Sequence, residues 1–104
     1  MKIEVRLFAN LREMAKTKAM IEDIKSETSV GDVLQKICER FGAKFCEQVL
    51  NERGGPNENV KVLLNGQNIV FLRGAATKLK DGDVIAIFPP VGGGSWKIMN
   101  RGLT

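Results

Sequence analysis

Apolar and charged positions alternate from the start of the chain, with Ile3, Val5 and Leu7 set between Lys2, Glu4 and Arg6. A period of two with a single apolar row predicts a half-buried β-strand over residues 2–8. The spacing changes in residues 10–16, where Leu11, Met14 and Ala15 share one side and predict a short helical turn. Residues 19–25 alternate again. They predict a second strand, antiparallel to the first, with Met20 and either Ile24 or Ile21 turned inward. Val30, Val33, Leu34, Ile37, Cys38 and Phe41 then recur at helical spacing and predict the main amphipathic helix. Ser29 and Asp32 stand three apart at its start, as in a capping box, and Gly42 predicts a left-handed cap at its end.

A second helical turn is expected over residues 45–50, then a polar loop over 51–59, which is too rich in turn formers for regular structure. Its Arg53-Gly54-Gly55 is a single copy of a pattern found in RNA-binding repeats and reads as loop. Residues 60–64 predict a strand. Asn65-Gly66 is a strong hairpin signal, and residues 68–72 are expected to return as a strand. Lys80-Asp81-Gly82-Asp83 reads as a turn rather than a cation loop, because no further acidic positions accompany it. Residues 84–88 are almost wholly apolar, as in a strand buried on both faces in mid-sheet and parallel to the first. One helix crossing one face of such a mixed sheet is an α+β roll of the β-grasp, or ubiquitin-like, kind.

Composition narrows the function classes. A chain of 104 residues makes one domain, large enough to hold a core without disulfides or metal. The alternating charges of the first residues fit neither a signal peptide nor a membrane span, so a cytoplasmic protein with no membrane partner is expected. Cys38 and Cys46 are then read as reduced thiols. The absence of histidine removes the commonest general base and the commonest metal ligand, and two cysteines alone make no ordinary zinc site. A carrier or binding module is favoured over an independent enzyme, with no bound cofactor and no metal. The net charge of +4 invites a nucleic-acid reading. Yet the basic residues are scattered among acids, and with one Trp and no Tyr a base-stacking platform would rest on Phe alone. A mildly basic solvated surface, or one that meets an acidic protein partner, fits equally well.

After the last strand come Pro89-Pro90-Val91-Gly92-Gly93-Gly94. Two prolines stop a central strand, and glycines without Cβ make a peptide thin enough to thread a channel. Two readings fit: a peptide presented to another protein's active site, or a flexible linker.

Several segments together resemble the small subunit of molybdopterin synthase, the MoaD type, and its ThiS-type relatives. Phe8-Ala9-Asn10-Leu11-Arg12-Glu13 resembles the F-A-x-L-R-E opening, and residues 28–34 resemble the family's approach to its long helix. Residues 79–91 resemble the L-x-D-G-D-x-V-x-x-F-P-P-V ending, and Gly93-Gly94 falls where the family's terminal Gly-Gly lies. The likeness spans nearly all of residues 1–94, and ubiquitin-related and small archaeal modifier proteins share it.

The resemblance implies a sulfur carrier. An adenylating enzyme of the ubiquitin-activating type would use ATP to join the terminal carboxylate to AMP, and a sulfur donor would leave a thiocarboxylate on Gly94. Gly92 and Gly93 would pass through that enzyme's channel, Pro89 and Pro90 would hold the tail off the sheet, and Val91 would be among the partner-binding residues. Phe8 and Phe88 would help form the apolar docking surface, or else simply pack in the core, and the large synthase subunit would be a partner. The chain would be a non-catalytic subunit in molybdopterin (molybdenum or tungsten cofactor) synthesis. Two features depart from the pattern. Residues 95–104 follow Gly94, so a processing protease must cut after it if the carrier reading is right. Otherwise the tail is an idle end on an inactive relative, or Trp96, Ile98 and Met99 fold back on an apolar patch. The second departure is the net positive charge. Two alternatives stay open: a ubiquitin-like modifier joined to target-protein lysines through the same end, and a β-grasp RNA-binding module.

Overall fold

A computed structural model describes residues 1–89 of the chain. The expectations for Pro90, Val91, Gly92, Gly93, Gly94 and residues 95–104 therefore fall outside the described residues. Among the described residues, a mixed five-stranded sheet is covered on one face by helices. The elements run β1 (Lys2–Leu7), α1 (Ala9–Ala15), β2 (Ala19–Asp23), α2 (Val30–Phe41), α3 (Ala43–Val49), β3 (Lys61–Leu64), β4 (Gln67–Asn68) and β5 (Val84–Phe88). The strand order is β2-β1-β5-β3-β4, with β5 parallel to β1 and every other pairing antiparallel. This is the expected β-grasp arrangement.

Local chemistry explains most boundaries. Ser29 Oγ accepts from the Asp32 N–H at 3.1 Å while an Asp32 carboxylate oxygen accepts from the Ser29 N–H at 3.0 Å. That reciprocal pair satisfies two orphan donors and fixes where α2 begins. Asn65 and Gly66 both take positive φ, 51° and 86°, as a tight two-residue hairpin turn requires. Asp81 accepts from the Lys2 N–H, and Asp83 accepts from the Lys80 N–H and from the Asn65 side chain. These acids build the turn before β5, as expected.

Three expectations need correcting and one open choice is settled. Gly42 does not take a left-handed cap: its φ is 90° but its ψ is −176°, an extended kink that starts α3 at once. Residues 68–72 do not return as a strand. The Asn68 side chain accepts from the Val70 N–H at 3.0 Å, which stabilises a 3₁₀ turn over Ile69–Phe71 and ends β4 after two residues. β5 is not buried on both faces, since Ile85 and Ile87 are fully buried whereas Val84, Ala86 and Phe88 are half-buried. Of the two inward candidates in residues 19–25, Ile24, just past the end of β2, is buried and Ile21 stays 62% exposed.

The core lies between the sheet's inner face and α2. Ile3, Val5 and Leu7 of β1, Ile85 and Ile87 of β5, and Val33, Leu34 and Ile37 of α2 are all fully buried there. Glu22 shares the inward row of β2 and is also buried. Arg40 Nη2 donates to one of its oxygens at 3.1 Å, and Arg40 Nη1 lies 2.8 Å from the other. The second contact is bent too far to be a hydrogen bond and acts as an ion pair. No helix among the described residues is long and apolar enough to cross a membrane.

Candidate functional site

The site starts from the alternation along β5. Because Ile85 and Ile87 point into the core, Val84, Ala86 and Phe88 must point to the opposite, helix-free face. The same rule puts Glu4 and Arg6 of β1 and Lys61 and Leu63 of β3 on that face, beside the core rows Val5–Leu7 and Val62–Leu64. Register then fixes neighbours: Arg6 and Leu63 flank Ala86, and Lys61 flanks Phe88.

Phe8 joins this face from the end of β1. Its backbone is extended, with φ −128° and ψ 157°, and the next residue, Ala9, turns the chain at φ 51°. A left-handed backbone costs a residue with a Cβ about 1 kcal/mol. That local cost is accepted where the chain leaves the sheet for α1. Phe8 and Phe88, eighty positions apart in sequence, stack with ring centroids 4.2 Å apart and planes 13° from parallel. Arg12, one turn into α1, lays its guanidinium 5.3 Å from the centre of the Phe8 ring and donates from Nε to the Leu7 carbonyl at 3.0 Å. Pro89 follows Phe88 and is half-buried.

Both phenylalanines are half-buried and belong to the outer face, not to the core. Their placement is not the plain core packing that was the other expectation for them. The resulting patch is apolar at its centre, with Phe8, Phe88, Ala86 and Leu63, and basic at its rim, with Arg6, Arg12 and Lys61. Arg6 is paired with Glu4, so the rim charge facing a partner comes from Arg12 and Lys61. A surface of this composition suits a partner with an apolar knob bordered by carboxylates.

Sequence reading missed Arg12, Lys61, Leu63 and Ala86. The signal was present in part: two alternating strands joined through Asn65-Gly66 fix which residues of β3 share a face. That β3 lies against β5, and so brings Leu63 next to Ala86, comes only from the sheet order. Among the described residues no group of three or more His, Cys, Asp or Glu side chains gathers to hold a metal.

A sequence model of the ThiS family matches residues 5–94. The chain belongs to the ThiS/MoaD family. It is 37% identical over 94 residues to small archaeal modifier protein 3 of Haloferax volcanii, covering 90% of this chain and 100% of that protein. The solution structure of small archaeal modifier protein 1 from Methanosarcina acetivorans superposes with a TM-score of 0.72 at 36% identity, covering 89% of this chain and 96% of that one. The molybdopterin synthase sulfur carrier subunit of Drosophila yakuba is 26% identical over 92 residues, covering 88% of this chain and 90% of that protein. Sulfur carriers and protein modifiers both occur among this family member's relatives.

Proposed function

We propose that this protein is a sulfur carrier in molybdopterin synthesis whose domain of residues 1–94 works through the carboxylate of Gly94. The observation that carries the reading is the family match, which runs through the Gly93-Gly94 pair to its last residue. The stacked aromatic patch supports it, because Phe88 and Pro89 lie immediately before the presented end.

The chemistry follows from the electrophile. A carboxylate resists attack, so an adenylating enzyme of the ubiquitin-activating type first joins it to AMP at the expense of ATP, releasing pyrophosphate. A sulfur nucleophile then displaces AMP and leaves a thiocarboxylate, a soft nucleophile that delivers sulfur to a precursor held by the large synthase subunit. Gly92 and Gly93 carry no Cβ and let the end thread a narrow channel. Pro89 and Pro90, each with a φ fixed by its ring, would hold the end off the sheet, and Val91 would contact the partner. Residues 95–104 keep Gly94 as an amide until a protease cuts after it. The outer face built on Phe8 and Phe88 docks the partners, with Arg12 and Lys61 meeting their carboxylates.

The test is the intact mass of the protein recovered under reducing conditions from cells that also express the activating enzyme. Loss of residues 95–104 with one oxygen of the new terminus replaced by sulfur is the expected result. A chain that stays full length in the presence of that enzyme refutes it. The names of the modifier relatives favour a second reading, conjugation to lysines through the same end. A ladder of conjugates that vanishes when Gly93 and Gly94 are deleted marks that role.

A further inference from the structure

On the helical side of the molecule the last turn of α2 and the first turn of α3 bring the two cysteines together. Cys38 and Cys46 line one open groove with Gln35 and Leu50. A single residue ties their backbones: the Gly42 N–H donates to the Cys38 carbonyl, and the Gly42 carbonyl accepts from the Cys46 N–H, both at 3.0 Å. Cys38 is buried in the core, whereas Cys46 is half-buried at the groove wall. Burial, and after it the Cys46 thiol alongside, pushes the Cys38 thiol up to about 12. Both thiols are free, and they pack on the core side of the sheet, opposite the face that carries Phe8 and Phe88. Nothing in the carrier chemistry uses them.

We propose that Cys38 and Cys46 form an oxidisable dithiol that closes to an intramolecular disulfide by exchange with a low-molecular-weight disulfide. The inference is independent of the sulfur-carrier reading. Cys46 is the attacking residue because it is the more exposed of the two at the groove, and Cys38 is the resolving residue because its burial shields it from the small disulfide. Cys46 gives up its proton and attacks one sulfur of the small disulfide. This forms a mixed disulfide and releases one small thiol. Cys38 then gives up its proton and attacks the Cys46 sulfur, which forms the internal bond and releases the second small thiol. Two protein thiols are oxidised and one small disulfide is reduced, so atoms and electrons balance. The product locks the α2–α3 junction across Gly42.

The test uses the full chain, folded and without denaturant, incubated with oxidised glutathione, capped with iodoacetamide and digested with trypsin without reductant. Arg40 and Lys44 lie between the two cysteines, so an internal disulfide joins peptide 37–40 to peptide 45–53. The expected result is that joined pair from monomeric protein. The intact mass falls by about 2 Da, two hydrogens, and dithiothreitol restores it. In Cys38→Ser, glutathione should remain attached to Cys46; in Cys46→Ser neither product should form. Glutathione that persists on Cys46 in the unaltered chain, a link found only between two chains, or both cysteines fully capped by iodoacetamide would each overturn the proposal.

Discussion

The stacked pair on the outer face makes a sharp quantitative prediction. A phenylalanine buries roughly 150–250 Å², so a half-buried one hides about 100 Å² and contributes about 2 kcal/mol at ~25 cal/mol per Å². Offset stacking adds about 1 kcal/mol that exists only while both rings are present. Phe8→Ala and Phe88→Ala should each lower stability by about 2–3 kcal/mol. The double variant should then lose about 1 kcal/mol less than the sum of the two. Phe45 supplies the internal contrast: it is fully buried in the core, and its replacement by alanine should cost about 3–5 kcal/mol. Urea denaturation of the four proteins of the cycle, with Phe45→Ala beside them, measures all of these. For a domain of this size 1 kcal/mol also moves Tm by roughly 4–8 °C, so thermal melts give an independent reading. A coupling of zero between Phe8 and Phe88 would refute the stack. Single losses as large as that of Phe45→Ala would show that the rings pack as core and leave no apolar surface for a partner.

Three further outcomes follow from other parts of the fold. Gly31 opens the first turn of α2 against Ala75, where an added Cβ would lie 3.1 Å from the Ala75 Cβ and 3.2 Å from its carbonyl oxygen. Gly31→Val should therefore lose about 2 kcal/mol in urea denaturation, despite the better helix propensity of valine. Arg40→Met leaves the buried Glu22 carboxylate with only Lys36 at 3.9 Å. Because Arg40 is itself half in solvent, the loss should be about 1–2 kcal/mol rather than the larger cost of a fully buried pair, and adding Glu22→Met should recover most of it. The Asp32 carboxyl is held below its ordinary value first by the Ser29 backbone N–H, then by the Ser29 hydroxyl, with a smaller pull from Lys78. Its folded pKa is the lower one, so it stabilises α2 above the ordinary carboxylate range and the stabilisation is lost as pH falls through the folded value. Asp32→Asn should flatten the acid limb of the stability–pH curve below about pH 4, and an unchanged limb would count against the capping box as its source.

The local elements were legible in the sequence because their causes are local. Ser29 and Asp32 bond to each other's backbone within one turn, Asn65-Gly66 supplies its own positive φ, and the period of two in residues 2–8 needs only one apolar side. The likeness to the family was legible too, and the family match extends to residue 94. Local rules failed where two causes competed within a few residues. Asn68 offered the backbone a side-chain acceptor and cut a strand short that the hydrophobic pattern would have continued.

What only the tertiary structure decided are the contacts between residues far apart in sequence. Alternation says that a strand has two faces but not which one meets the core. The row that holds Glu22 and Ile24 turned inward while Ile21 turned out, and Arg40 of α2 reaches that row and pairs with Glu22 there. The sheet order, with β5 between β1 and β3, brought Phe8 to Phe88 across eighty positions and ranged Lys61 and Leu63 beside them. The kink at Gly42 likewise turned two cysteines eight positions apart into one pair. Short-range hydrogen bonds are encoded where they form. Side-chain neighbours across a sheet or between helices arise from burying one shared apolar core, and that depends on the whole chain at once.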